Sequence, residues 1–312
     1  GAVTVCFHAN VLRFDTAASD AAVQTAQVAT LSGARFSAKA KLYVLACGGI
    51  ENPRLLLLSG NAGGIGNAHD LVGRYFMAHM VYSGGIVALA DPYTRFDYYT
   101  GRDGRAFAGV GAPHRFVSYI GLSEATMRAR GLPGFRFVWL YKFAKEMGAA
   151  AAIDDLAGRH EHTLWADLRA LMRDLGGASR FAFGRALLRH GRPVAAIELH
   201  CSSEQLPNPE SRVLLGDALD RLGQRKVEVD WRLTTEDKKR TLDIPRLLGA
   251  EVGRAGLGRL RLSLADDDST WPADMYGDAH HIGTTRMHRD PAQGVVDADC
   301  RVHGCANLFV AG

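Results

Sequence analysis

The sequence has few cysteines and no long apolar segment. Its 312 residues include five cysteines, at positions 6, 47, 201, 300 and 305. An odd, widely spaced set in a chain of this length does not predict a disulfide framework, so we expect reduced thiols and a cytoplasmic location. No apolar run reaches the roughly 18 residues that indicate a transmembrane helix, so we expect no membrane span.

Charge and aromatic content are also modest, at a net charge of +4 and 8% aromatic residues. A nucleic-acid-binding protein presents clustered Lys and Arg on one face, so a charge of this size does not predict a nucleic-acid partner. The 47% of hydrophobic residues is enough to fill a core. At roughly 100–200 residues per domain, the length suggests about two domains.

Three common catalytic motifs are absent from the sequence. There is no Gly-x-x-x-x-Gly-Lys-Ser/Thr phosphate loop and no Gly-x-Ser-x-Gly turn. Gly109-Val110-Gly111 lacks the third glycine of a dinucleotide-binding fingerprint, because His114 stands in its place. These absences argue against P-loop nucleotide hydrolases and α/β-hydrolases.

The first sixty residues follow the pattern of an α/β protein. Residues 21–31 and 34–39 predict two strands joined at Ser32-Gly33. The apolar run over residues 42–46 predicts a strand buried on both faces, as in parallel sheets. The turn at residues 47–49 then leads into a short helix, with Asn52 as N-cap and Pro53 at the first helical position.

The remainder predicts an antiparallel sheet with helices packed on it. Strands are predicted over residues 75–89, 115–120, 135–141, 195–201 and 226–233. A helix is predicted over residues 123–130, with Ser123 as its N-cap. Helices are also predicted over residues 145–192 and 237–255, the last interrupted at Pro245. Strands spaced this widely along the chain are typical of an α+β domain.

Both ends of the chain lie within strand patterns. Residues 3–11 predict a strand almost at once, and residues 307–312 form an apolar strand that stops where a turn is due. Domains usually end in polar, frayed segments. We therefore expect this chain to be a fragment of a longer protein.

The segment from His280 to Met287, with sequence HHIGTTRM, holds the densest set of reactive side chains. If the two adjacent histidines have only a structural role, we expect one to be buried and hydrogen-bonded and the other to be exposed to solvent. Cysteines and histidines recur further on, but the spacing Cys300-x-x-His303-x-Cys305 matches no common zinc pattern. We therefore predict no metal site.

Several segments resemble, in order along the chain, the signatures of the glucose–methanol–choline (GMC) family of flavin oxidoreductases. Residues 49–60 (GIENPRLLLLSG) resemble its second signature, and residues 280–312 resemble its C-terminal signature. Residues 71–79, 204–213 and 229–233 are also similar to the family. The nearest likeness is to the bacterial branch that shares features with pyranose and sugar oxidases.

The resemblance implies an α/β plus α+β fold in two domains. Residues 1–65 and 288–312 would form an incomplete, Rossmann-like FAD-binding domain without its first βαβ unit. Residues 66–287 would form an antiparallel-sheet, substrate-binding domain. A Gly-x-Gly-x-x-Gly loop is then expected upstream of residue 1, and the fragment alone is expected to be inactive.

The resemblance also implies roles for individual residues. His280 would be the base that takes the hydroxyl proton, since an imidazole titrates near neutral pH, and His281 would be orienting or structural. Gly283 would permit close backbone approach to the flavin. The residues expected to bind FAD are Val11, Ala46, Cys47, Gly48, Gly49, Asn52, Gly283, Thr284, Ala311 and Gly312.

The function implied is FAD-dependent oxidation of a CH–OH group in a sugar or other small-molecule alcohol. Hydride would pass to the flavin, and the electron acceptor would be oxygen, a quinone or a cytochrome. The alternative is a remnant without cofactor that acts as a binding or interaction module.

Overall fold

The computed structural model describes residues 3–17, 19–61, 63–91, 94, 119–143, 194–267 and 269–312, with isolated positions 169, 172 and 175. The chain divides into two compact units. The first unit comprises Gly1–His79, Glu204–Asp237 and Gly277–Gly312. The second unit comprises Met80–Ser203 and Lys238–Tyr276.

The described elements are mostly strands. In chain order the first nine elements are β1 (Asn10–Thr16), β2 (Val23–Ala29), β3 (Arg35–Ala38), β4 (Tyr43–Leu45), α1 (Gly48–Leu57), β5 (Met80–Leu89), β6 (Ile120–Gly121), α2 (Glu124–Arg130) and β7 (Phe135–Phe143). The others are β8 (Val194–Ser203), β9 (Arg212–Leu219), β10 (Arg225–Asp230), α3 (Thr235–Arg254), β11 (Gly258–Leu262), β12 (Tyr276–Gly277) and β13 (Leu308–Val310).

The first unit combines small sheets with helix α1. Strands β1, β2 and β3 form an antiparallel sheet, β9 pairs antiparallel with β10, and β4 pairs parallel with β13. The predicted hairpin between β2 and β3 is present, with Gly33 at a φ of +100° in its turn. Apolar side chains from α1 and from β4 and β13 share one core, which includes Leu45, Leu56, Val295 and Leu308.

Two strand predictions in this unit are wrong in part. The strand predicted over residues 3–11 begins only at Asn10, and Val3 and Phe7 are exposed because no strand among the described residues pairs with them. The strand predicted as buried on both faces is β4, whose alternate residue Val44 is 62% exposed. Its side chain lies on a face that no described element covers fully.

The second unit is the predicted antiparallel sheet with helices. The sheet order is β11-β5-β8-β7-β6, with β12 beside β5. Helix α2 begins as predicted, because the Ser123 hydroxyl accepts a hydrogen bond from the backbone N–H of Thr126. The predicted strand over residues 75–89 begins only at Met80. Apart from positions 169, 172 and 175, the helix predicted over 145–192 lies outside the described residues, as does most of the strand predicted over 115–120.

Two prolines lie inside helices where the sequence predicted a start or a break. Helix α3 continues through Pro245, and α1 begins at Gly48, so Pro53 is not its first residue. A proline has no N–H and leaves the carbonyl four residues earlier without its helical partner. In α3 that carbonyl, of Thr241, accepts a hydrogen bond from the Tyr82 hydroxyl at 3.4 Å. A hydroxyl from another element therefore replaces the missing N–H.

The mixed fold class, with α/β and antiparallel α+β parts, is confirmed. The compact units follow boundaries different from the predicted cofactor and substrate ranges, because residues 66–79, 204–237 and 277–287 belong to the first unit. Backbone hydrogen bonds join these three ranges to one another. The Gly73 N–H donates to the Thr284 carbonyl and the Met77 N–H to the Ile282 carbonyl. The Phe76 N–H donates to the Ser211 carbonyl. The predicted division between FAD and substrate binding stays a prediction.

Candidate active site

The candidate site lies in the first unit, at the carboxyl ends of the parallel strands β4 and β13. Leu45 pairs with Val310, and the Ala311 N–H donates to the Leu45 carbonyl at 2.7 Å. The chain then turns from β4 through Ala46 and Cys47 into α1. Crevices at the carboxyl ends of parallel strands are where open α/β sheets bind ligands.

Helix α1 starts in a way that the sequence did not predict. Its N-cap is Cys47, and Asn52 lies within the helix, almost fully buried. The Asn52 side chain nevertheless supports the start, because its Oδ1 accepts from the Cys47 N–H at 2.9 Å. Gly48 has a φ of +79°, which favours glycine. The N–H groups of the first helical turn have no partner within the helix and create a positive electrostatic end.

Thr284 joins the HHIGTTRM segment to this helix. Pro53 leaves the Gly49 carbonyl without a helical donor, and the Thr284 hydroxyl donates to that oxygen at 2.6 Å. Thr284 is only 1% exposed. One hydrogen bond therefore connects two segments that are 235 residues apart in the chain.

Two glycines allow backbone segments to approach closely here. Gly283 has a φ of +100°, and a methyl group on it would lie 1.9 Å from the Tyr75 carbonyl oxygen. A methyl group on Gly49 would lie 2.9 Å from the His281 carbonyl oxygen. The close approach that the structure shows at Gly283 is thus to Tyr75, an explanation that the sequence alone did not provide.

These segments enclose a cavity of about 730 Å³. Seven of the predicted site residues line it, namely Gly49, Asn52, His281, Gly283, Thr284, Ala311 and Gly312. Ala46 and Cys47 lie in the adjoining turn and Gly48 lies at the start of α1, all outside the lining, and Val11 lies on β1. The structure therefore brings together residues from positions 49 to 312 around one space.

One wall of the cavity is apolar and exposed. It includes Leu42, just before β4, and Val44, within β4, together with Ile282, Met287 and Phe309. Leu42, Val44, Ile282 and Met287 are each at least half exposed. Exposed apolar side chains gathered in a concave site favour binding of an aromatic or other apolar group.

The two adjacent histidines occupy different surroundings. The His281 ring lies against Phe76, with ring centroids 5.2 Å apart and an interplanar angle of 32°. His280 does not line the cavity, and its side chain is 63% exposed. Its ring meets His79 edge to face at 5.4 Å, and its Nδ1 lies 3.7 Å from Asp278 Oδ2.

Several cavity residues were missed by the sequence analysis. Met77, Val296 and Cys300 line the cavity, and Cys300 has a φ of 62°, in the left-handed region. Arg286 also lines it, and its guanidinium carbon lies 4.2 Å from the centre of the Tyr75 ring. All four stood within segments already singled out, Met77 within residues 71–79 and the others within residues 280–312, but none was assigned a role at the site.

An ion-pair cluster fixes the segment that contacts Gly283. Asp70 accepts from Arg74 Nη2 at 2.6 Å and from Arg212 Nη2 at 3.0 Å. The hydrogen bond from Arg212 is the largest cause that lowers the pKa of Asp70, and Arg74 adds to it. The cluster holds the turn before Tyr75, whose carbonyl approaches Gly283.

No group of three or more His, Cys, Asp or Glu side chains is arranged to hold a metal ion within the described residues. Across the same parts of the chain, no helix combines the length and apolar character needed to cross a bilayer.

A family model described as GMC oxidoreductase matches residues 207–312. The chain thus resembles the C-terminal domain of that family over its last 106 residues. The match covers β9, β10, the HHIGTTRM segment and β13, and thus most of the cavity lining. The family resemblance of residues 229–233 and 280–312, which lie within the match, is thereby confirmed.

Two curated relatives align with most of this chain. The fructose dehydrogenase large subunit of Gluconobacter japonicus is 25% identical over 276 residues, which are 87% of this chain and 42% of that protein. The 2-methyl-1,2-propanediol dehydrogenase of Mycolicibacterium austroafricanum is 26% identical over 309 residues, 97% of this chain and 48% of that protein. The chain therefore spans less than half the length of these relatives.

Two oxidases are among the solved structures that align with this chain. Pyridoxine 4-oxidase from Mesorbium loti has a TM-score of 0.48 and 17% identity, over 97% of this chain and 51% of that one. A formate oxidase has a TM-score of 0.48 and 16% identity, over 97% of this chain and 55% of that one.

Proposed function

We propose that this chain is part of an FAD-dependent oxidoreductase that oxidises a CH–OH group of a sugar or other small alcohol. The family domain supports the class of reaction, and two relatives are named as dehydrogenases of fructose and of a diol. The observation that carries the proposal is the cavity, because it unites a helix N-terminus, two parallel strand ends and the HHIGTTRM segment.

The residues around the cavity fit FAD. A volume of about 730 Å³ lies within the range of cofactor sites, roughly 300–1,000 Å³. The apolar wall of Leu42, Val44 and Phe309 suits a flat aromatic ring. The N–H groups at Gly48 and Gly49, at the positive end of α1, suit an anionic group such as a pyrophosphate. When bound, FAD supplies the hydride acceptor that alcohol oxidation requires.

His280 is the base in this proposal. A base must reach the substrate, and the exposed His280 stands beside the cavity, outside its lining, where a substrate next to the bound cofactor would be within reach. Asp278, whose carboxylate is 3.7 Å from Nδ1, would orient the ring and stabilise the imidazolium after it takes the hydroxyl proton. His281, packed against Phe76, would form part of the cofactor wall.

Single substitutions test this assignment in the full-length protein, meaning the complete product of the gene that encodes this chain. His280→Ala should keep FAD bound and should slow flavin reduction by alcohol about 10²–10⁴-fold, the usual effect of losing a positioned base. His281→Ala should affect FAD retention more than this step. Anaerobic stopped-flow absorbance separates the two effects.

Near wild-type reduction in His280→Ala would refute its role as base, and a larger loss of rate in His281→Ala would move that role by one residue. A full-length protein that purifies without flavin and does not take it up would instead favour the binding-module alternative.

A further inference from the structure

The antiparallel sheet of the second unit ends in an unpaired edge at β11. This strand pairs with β5 on one side, and no strand within the described residues pairs with its other side. An unpaired edge presents a row of backbone N–H and C=O groups to which a further strand can bond. The edge is therefore a place where an extended segment could be added to the sheet.

The hydrogen bonds to β5 show which backbone groups of β11 face this edge. The Ser263 N–H, directly after the strand, donates to the Gly84 carbonyl at 3.2 Å. Residues of an antiparallel pair bond to the partner strand at every second position. With the observed register, Arg261 is bonded to β5, and the backbone groups of Leu260 and Leu262 face outward.

A groove of about 370 Å³ lies between β11 and α3. Leu260 and Leu262 line it from β11, and Pro245, Gly249 and Gly253 line it from α3. A methyl group added to Gly253 would meet no atom within 4 Å, so the groove is open at this point of the helix. The groove can therefore accept small apolar side chains from a strand that pairs with the edge.

Uncompensated positive charge lies on the same strand. Side chains alternate between the faces of a strand, so Arg259 and Arg261 point away from the face that carries Leu260. Both arginines are exposed, and neither side chain forms an ion pair or hydrogen bond within the parts of the chain that the structure describes. Arg246, which also lines the groove, differs because its Nη2 lies 2.6 Å from Asp266 Oδ1.

We propose that the free edge of β11 binds an extended, acidic segment of a partner protein by strand addition. The backbone of that segment pairs with Leu260 and Leu262, and its small apolar side chains enter the groove. The acidic side chains between them lie beside Arg259 and Arg261. A second copy of this chain is a less suitable occupant, because two β11 strands paired edge to edge would bring the arginines of both copies together.

Fluorescence anisotropy with labelled peptides and the full-length protein tests this proposal. The probe is a peptide in which valine and glutamate alternate. One matched peptide has lysine in place of glutamate, and another carries N-methyl groups on the backbone nitrogens that would pair with the edge. Only the glutamate peptide with free N–H groups should bind, because binding requires both the acidic side chains and the backbone hydrogen bonds.

A charge variant tests the two arginines. Arg259→Ala combined with Arg261→Ala should weaken binding of the glutamate peptide roughly 2- to 30-fold, the effect of losing two exposed ion pairs. Arg128→Ala is the matched control, because Arg128 is an exposed arginine of the same unit that pairs with Glu124 of α2. It should leave binding unchanged.

Gly253→Leu tests the groove separately from the stability of the fold. The leucine side chain should fill the groove and weaken peptide binding. It should not lower the midpoint of thermal unfolding, because the position has free space and leucine favours a helix more than glycine does.

Equal binding of the N-methylated peptide, or unchanged binding in the arginine variant and in Gly253→Leu, overturns the proposal. Failure of the full-length protein to bind the glutamate peptide also overturns it, because other segments of that protein would then cover the edge. Self-association that competes with the peptide would show a second copy to be the occupant and would equally overturn it.

Discussion

The hydrogen bond from Thr284 to the Gly49 carbonyl gives a quantitative prediction about the candidate site. The Thr284 hydroxyl replaces the N–H that Pro53 lacks. Thr284→Val keeps the approximate shape of the side chain and removes the donor. The Gly49 carbonyl then has no donor, because Pro53 cannot supply one.

The expected cost follows from the burial of the two groups. A typical hydrogen bond contributes about 0.5–1.5 kcal/mol net, and a fully buried carbonyl left unsatisfied costs about 1–3 kcal/mol. Thr284 is 1% exposed, but Gly49 is only half-buried, so partial hydration is available to the carbonyl. Thr284→Val should therefore lower the free energy of unfolding by about 1–2 kcal/mol, between these limits.

A double-mutant cycle with Pro53→Ala isolates the interaction. Alanine at position 53 supplies an N–H that can bond to the Gly49 carbonyl within α1. In that background Thr284→Val should cost half as much or less, a coupling within the usual range of roughly 0.5–3 kcal/mol. Urea unfolding of the four proteins measures it. Equal costs of Thr284→Val in both backgrounds would show that the hydroxyl does not compensate for the proline.

Three further substitutions test the packing and charge around the site. Gly304→Ala should lower the free energy of unfolding by about 1–2 kcal/mol, because its φ of +80° is unfavourable for alanine although the space around it is open. Gly283→Ala should lower it more, because the added methyl group would lie 1.9 Å from the Tyr75 carbonyl oxygen. Urea unfolding that ranks the two variants in the reverse order would contradict this packing. Asp70→Asn should remove a stabilisation of about 0.2–1 kcal/mol at neutral pH, small because Asp70 is 58% exposed. Since the folded pKa is lowered below 3.8, that stabilisation is present above pH 3.8 and is lost as the pH falls through the folded pKa. The difference between wild type and Asp70→Asn should therefore vanish in acid, and a difference that grows in acid would exclude the Arg212 ion pair as its cause.

Local signals predicted the parts of the fold that depend on neighbours in sequence. The cap at Ser123 and the turn at Gly33 were predicted correctly, because each depends on residues within a few positions. The parallel pairing of β4 agrees with the apolar run over residues 42–46.

Predictions failed where distant segments decide the outcome. Pro53 and Pro245 were placed at a helix start and a helix break, yet each lies inside a helix because Thr284 or Tyr82 bonds to the freed carbonyl. The exposure of Val44 depends on which elements cover β4, which its own sequence does not encode. Gly283 was singled out for a cofactor, but its contact with Tyr75 depends on chain segments more than 200 residues apart.

Anaerobic flavin reduction tests whether an alcohol carbon transfers hydride to FAD. The full-length protein is mixed with sugars and small diols that carry either hydrogen or deuterium at the carbinol carbon. The visible flavin absorbance is then followed. The account predicts that at least one alcohol bleaches the flavin, and more slowly in its deuterated form because the C–H bond breaks in that step. A bound flavin that no alcohol reduces, or that both forms reduce at the same rate, would contradict it.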